Sequence, residues 1–414
     1  MPRFVRAALL VLCCAASARA GNWPAWRGPD GTGHSPEKNL PIKWSDTDNV
    51  RWKVELPERG NSTPIVWGNR IFLTQATEKS TKRAVMCFAR ADGKLLWQQA
   101  TEYTEKEPTH QTNPYCSASP VTDGERVIAS LGSAGMVCYD MDGKEQWRKD
   151  LGKMVHMWGN ASSPILHGDL CILFVGPGKV QKLLAVEKKT GKTAWEYEEP
   201  NGKANGYVGS WSTPIIVRVG DHEELLLGMP EKLKGFDPKT GKELWSCDGL
   251  HTVKGDQLVY TSPVYHDGVV VAMGGFGGAA LAVMAGGNGD VTKARLWYHP
   301  SNGQRIGSPI VVGEHVVIIN ESGIAQCLEP KTGKDVWQKE RIPGTTWSSP
   351  VLAEGRLYVT TKEGSVLVLA TGPKFEVLAK NSLGGDTIMA SPAISDGDIF
   401  IRTYKYLWCI SAKK

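Results

Sequence analysis

Apolar and polar positions alternate along residues 232–249, KLKGFDPKTGKELWSCDG. Leu233 and Gly235 alternate with lysines and Phe236 follows, so the segment reads as a strand. Asp237-Pro238 opens a turn, Gly241 supplies the positive φ that the turn needs, and Glu243-Leu244-Trp245 starts the return strand. The same phrase recurs at Cys87–Trp97, Cys138–Trp147, Ala185–Trp195 and Cys327–Trp337, with weaker copies at Val283–Trp297 and Val368–Val377. In the five good copies Trp falls four residues after the turn Gly. Recurrence in fixed phase predicts a repeat architecture.

A second phrase, Ser or Thr followed by Pro and an apolar run, recurs between the hairpins. Its prolines are 64, 120, 164, 214, 263, 309, 350 and 392, spaced by 56, 44, 50, 49, 46, 41 and 42 residues. Pro lacks an N–H and suits the first residue of a strand. Each unit then reads as a Ser/Thr-Pro strand, two further strands, the turn and a Trp strand, which is one propeller blade. The pattern predicts an all-β chain forming an eight-bladed β-propeller of four-stranded antiparallel blades over residues 49–411. Asn49–Leu56 carries Trp52 but precedes the first Ser/Thr-Pro strand, while the last blade lacks a Trp strand. The N-terminal strand is therefore expected to complete the last blade and close the ring, removing the free edges.

Residues 1–20 combine Arg3 and Arg6, an apolar run from Ala7 to Ala16 and the triplet Ala18-Arg19-Ala20. This reads as a cleavable signal peptide with cleavage after Ala20, too short to span a bilayer. A periplasmic or secreted product without a transmembrane anchor is expected. Three arginines leave with the leader, lowering the formal charge from +5 to +2. Near-neutral charge with interleaved signs excludes the basic stripe of a nucleic-acid binder. Seven cysteines follow the leader with no adjacent pair. Cys87, Cys138 and Cys327 share one repeat position with Ala185 and Gly235, which predicts a buried site of small volume rather than a disulfide. Residues 21–48, rich in Gly, Pro and Trp, are expected to be an irregular lead-in whose tryptophans pack on the ring.

The longest insertions, Ala100–Ser117, Met154–Ser162 and Glu199–Ser212, all enter Ser/Thr-Pro strands and are expected on one face. The residues three before the eight prolines, Asn61, Ser117, Ala161, Trp211, Tyr260, Ile306, Trp347 and Met389, then ring the mouth of the channel. With His156 and Trp158 nearby, the candidate partner-binding face is His156, Trp158, Trp211, Tyr260 and Trp347. No HExxH, GxSxG or phosphate-loop spacing occurs, and Gly275–Ala280 is not followed by a helix pattern. No catalytic, cofactor or metal residue is assigned.

The pattern in KGFDPKTGKELW and QCLEPKTGKDVW resembles the repeat of the pyrroloquinoline quinone (PQQ) propellers, and it covers nearly all of residues 49–411. WPAWRGPDGTGHSPE with WGNASSP also resembles secreted PQQ-like propellers of planctomycete-type bacteria. The resemblance implies one of two functions. A BamB-like member is a non-catalytic scaffold without cofactor. A quinoprotein dehydrogenase holds PQQ with calcium and oxidises alcohols or sugars, often beside a Cys-Cys disulfide that this chain lacks after residue 20. The expectation is the scaffold, monomeric, without cofactor, binding a cell-envelope protein or glycan; the dehydrogenase is the alternative. Fold is legible from such a repeat more firmly than function.

Overall fold

The computed structural model describes residues 21–178, 181–199, 207–252, 254–301, 303, 305–372 and 374–412. The predicted leader lies outside them. The protein is an eight-bladed β-propeller in which the first strand of each blade faces the axis. Blade 1 runs through Ile65–Trp67, Arg70–Thr77, Lys82–Ala89 and Leu95–Glu102, each antiparallel to the next. Blades 2 to 7 repeat the order, starting at Val121, Ile165, Ile215, Val264, Ile310 and Val351. Blade 8 takes three strands, Ala393–Ser395, Asp398–Arg402 and Tyr406–Ser411, from the end of the chain. Its outer strand is Val50–Glu55, which pairs antiparallel with Tyr406–Ser411 and sets Trp52 opposite Cys409. Arg90 of blade 1 reaches Asp398 at 2.8 Å and Arg51 reaches the same carboxylate at 2.9 Å, so the seam is also ion-paired.

Two repeated contacts join each blade to the next. Near the axis, the N–H of each Ser or Thr that precedes a strand-opening Pro donates to the hydroxyl of its counterpart in the following blade. The circle runs Thr63, Ser119, Ser163, Thr213, Ser262, Ser308, Ser349, Ser391 and back to Thr63, at 2.9–3.2 Å throughout. An inner strand has no neighbour on the channel side, so these N–H groups would otherwise lack a partner. The following Pro has no N–H to satisfy.

At the rim, the Trp of one blade lies on the turn Gly of the next. Trp52 covers Gly93, Trp97 covers Gly143, Trp147 covers Gly191 and Trp195 covers Gly241. A Cβ on Gly241, at φ +71°, would stand 2.3 Å from the Trp195 ring, so both backbone angle and space demand glycine. Trp52, Trp97, Trp147 and Trp297 also donate their indole N–H to carbonyls of the next turn, at 2.7–3.0 Å. Within its own blade the same Trp lies opposite the small residue before the turn: Cys87–Trp97, Cys138–Trp147, Ala185–Trp195 and Gly235–Trp245. That is why the position admits only Cys, Ala or Gly. Val377 takes this place in blade 7, against Leu369. In blade 6 the outer strand shrinks to Glu340–Arg341 and Trp337 sits on a bend before it.

The lead-in runs along the inner strands of several blades. Trp23 pairs with Val66 of blade 1, the Pro24 carbonyl accepts from Thr122 of blade 2, and His34–Ser35 runs parallel to Val351–Ala353 of blade 7. Arg27 donates to the Pro309 carbonyl of blade 6 at 2.7 Å. Trp23 and Trp44 are buried. The segment thus links blades 1, 2, 6 and 7.

Ser308→Ala removes the acceptor for the Ser262 N–H and leaves a buried donor unpaired. The expected loss is about 1–3 kcal/mol of unfolding free energy, read as a lower denaturation midpoint. Ser308→Thr, the side chain used at Thr63 and Thr213, retains stability. An unchanged midpoint for Ser308→Ala contradicts the role given to the circle.

Candidate functional site

The segments that enter the inner strands converge above the hydroxyl circle and enclose one axial cavity of about 520 Å³. All eight residues three before the prolines line it, from Asn61 to Met389. Their common placement follows from the repeat: each sits two residues before the Ser/Thr that is fixed by the circle. Trp26 of the lead-in also lines the cavity.

The walls differ in chemistry. Blades 3 to 5 contribute an aromatic cluster. Trp158 lies 5.0 Å from Tyr207 and 6.2 Å from Trp211, and Trp211 meets Tyr260 edge-on at 5.1 Å, measured between ring centroids. His156 stands behind them, 5.4 Å from Trp158 and 5.0 Å from Trp211, and is not itself part of the lining. Burial holds its pKa below the ordinary value, partly offset by a hydrogen bond to the Val208 backbone, so the ring is neutral at neutral pH. Trp347 lines the cavity from blade 7, with its indole N–H 3.4 Å from Glu321 and Lys362 over its ring. The five sequence-predicted residues thus divide into a cluster of four and a separate Trp347.

A short parallel ribbon sets the aromatic wall. Val208–Ser210 pairs with Gln257–Val259 in register, outside the blades. The residues flanking it, Tyr207 and Trp211 on one strand and Asp256 and Tyr260 on the other, all line the cavity. The Tyr207 N–H donates to Asp256 Oδ1 at 2.9 Å, and the Trp211 indole donates to the Gly159 carbonyl at 2.8 Å. Burial pushes the Tyr260 phenol up, with Asp256 adding to the shift, so it stays protonated. Blades 1 and 2 contribute amides and hydroxyls. Asn113 donates to the Trp158 carbonyl at 2.6 Å and Asn61 to the Thr112 carbonyl at 2.8 Å, while Thr112 contacts His110 at 2.6 Å.

The sequence did not point to Trp26, Tyr207, Asp256 or Phe276, all of which line the cavity. Tyr207 and Asp256 are placed by a three-residue ribbon, too short to show a period. Trp26 depends on pairing between the lead-in and strands far along the chain. Phe276, 57 % exposed, sits in the loop between the second and third strands of blade 5.

The lining does not fit a PQQ–calcium centre. Asp256 is its sole carboxylate among the described residues, and it already accepts from Tyr207. Calcium takes several converging oxygens, and among the described residues no group of three or more His, Cys, Asp or Glu side chains is arranged to hold a metal. PQQ is a tricarboxylate, and no Lys or Arg lines the cavity among the described residues. Nor is a thiol nucleophile at hand. The seven described cysteines are free and buried. Burial raises the Cys87 and Cys138 thiols to about 12 and those of Cys116, Cys247 and Cys327 to about 11. A maleimide reagent at mildly alkaline pH is therefore expected to leave the folded protein unlabelled and to label it fully once denatured. Rapid labelling of the folded protein contradicts this.

A family model described as outer membrane protein assembly factor BamB matches residues 37–109, 81–339 and 322–414. A curated relative, the outer membrane protein assembly factor BamB of Burkholderia pseudomallei (strain K96243), is 32% identical over 97 residues. That alignment covers 23% of this chain and 24% of the relative, so the chain spans about a quarter of the curated protein it matches. Among solved structures, BamB from Moraxella catarrhalis aligns with a TM-score of 0.61 at 15% identity, over 86% of this chain and 97% of that one. Quinohemoprotein alcohol dehydrogenase ADHIIG from Pseudomonas putida HK5 aligns with a TM-score of 0.66 at 14% identity, over 95% and 81%. A europium-containing methanol dehydrogenase aligns with a TM-score of 0.69 at 12% identity, over 95% and 98%. At these identities the structural likeness is one of fold.

Proposed function

The chain belongs to the family of the outer membrane protein assembly factor BamB, and we propose that its propeller is a non-catalytic binding scaffold of the cell envelope, holding a protein or glycan partner on its loop face. The observation that carries this reading is the chemistry of the cavity: an aromatic wall beside neutral amides and hydroxyls, with one carboxylate among the described residues. Such a lining suits binding, and its described carboxylate, Asp256, is already engaged by the Tyr207 N–H. The rim supports it too. Tyr207, Phe276 and Met157 are each about half exposed, and all three sit in loops of the same face. Apolar side chains grouped in this way mark interaction sites. Among the described residues no helix is long and apolar enough to cross a membrane. On this reading the leader expected over residues 1–20 exports the scaffold to the periplasm or beyond, where it acts as a monomer.

The alternative is PQQ-dependent oxidation of alcohols or sugars. It draws on the likeness of fold to the two dehydrogenases. Against it stand the single carboxylate and the lack of cations in the described lining.

Trp347→Ala and Phe276→Ala, each on a side chain outside the closely packed cluster, and Trp211→Ala within it, are expected to abolish capture of the partner from cell-envelope extract while the melting temperature of the first two stays unchanged. Capture equal to wild type in all three contradicts the assignment of the loop face.

A further inference from the structure

The aromatic wall is continuous. Tyr207, Trp158, Trp211 and Tyr260 succeed one another at 5.0, 6.2 and 5.1 Å between centroids. The rings are inclined to one another by 49–67°, so the wall is faceted, and a ligand stacks on one ring at a time. An anion finds no Lys or Arg among the described lining residues.

Facing the wall are hydrogen-bonding groups with capacity to spare. In a ring of eight, blade 1 stands opposite blade 5, so Asn61 looks across the cavity towards Asp256 and Tyr260. Asn61 Nδ2 is committed to the Thr112 carbonyl, but its Oδ1 is buried and accepts nothing. A buried acceptor left unpaired carries a penalty, and a turn of the Asn61 side chain into the cavity it lines lets a ligand donor relieve it. Several hydroxyls of the circle, among them Thr63, Ser163 and Ser391, line the cavity as well. Aromatic facets on one side and amides and hydroxyls on the other match the two aspects of a pyranose ring: its C–H face stacks on an aromatic ring and its edge hydroxyls bond to polar side chains.

We infer that the cavity binds the terminal unit of a neutral glycan, stacked on Trp158 and Trp211 and held at its edge by Asn61 and Asp256. The inference rests on the scaffold reading and names the chemistry of its ligand. A cavity of about 520 Å³ has room for one to a few sugar units.

The test is calorimetric titration of the full mature chain with glucose, galactose, mannose, N-acetylglucosamine, cellotriose and chitotriose, with tetramethylammonium and inorganic phosphate as comparison probes. The expected result is saturable one-to-one binding of at least one neutral sugar. Asn61→Ala and Tyr207→Ala, the latter on a half-exposed side chain, each weaken that binding by about tenfold while the melting temperature holds. Absence of binding by every neutral sugar, or binding of tetramethylammonium or phosphate instead, overturns the inference. If the loop face still captures an envelope protein while no sugar binds, the glycan assignment falls and the scaffold reading stands. PQQ-dependent turnover with calcium removes both.

Discussion

Eight backbone N–H groups point along the inner circle of this ring, and each one depends on a hydroxyl from the blade that follows. No blade satisfies its own inner edge. The circle is complete only when the eighth blade meets the first, as Ser391 does with Thr63 at 3.2 Å. Much else follows from this constraint. Ser or Thr is required because a short hydroxyl side chain must both leave its own N–H free to donate and accept from a neighbour. The clamp of Trp on Gly repeats the logic at the rim, where one blade completes the turn of the next. The apolar core is accordingly divided into layers between successive blades rather than gathered at one centre. The long closure between Val50–Glu55 and Tyr406–Ser411 is worth its loop entropy because it supplies the last layer, the ion pairs at Asp398 and the final link of the circle.

The cavity is a consequence of the same circle. Each residue three before a proline is carried to the axis because its strand is pinned there, whatever its side chain. The scaffold therefore offers eight positions at the mouth that vary without disturbing the ring, and this chain fills them unevenly: Trp211 and Tyr260 on adjoining blades, Trp347 alone, and Asn61 and Ser117 on the polar side. Function here is a matter of which side chains occupy a fixed geometry, which explains how proteins of one fold include both BamB and dehydrogenases.

The repeat was legible because its cause is local and recurring. A turn Gly under a Trp and a hydroxyl before a Pro leave the same mark in every blade, and the Cys, Ala or Gly opposite the Trp records the volume available there. The ring of mouth residues could be counted off from the prolines for the same reason. Tyr207, Asp256 and Trp26 obey no period. Their positions arise from a three-rung ribbon between two loops and from a lead-in that pairs with strands of five different blades. Contacts between distant segments of this kind leave no spacing in the chain. His156, expected on the same face from its neighbours in sequence, packs against Trp158 and Trp211 and does not itself line the cavity.

We propose that this propeller keeps the PQQ-type ring while its axial cavity takes a neutral partner rather than the quinone. The most direct measurement is calorimetric titration of the mature protein with PQQ, with and without calcium. The account predicts no saturable heat in either condition. Saturable one-to-one binding of PQQ in the presence of calcium would contradict it and turn the cavity into a cofactor site.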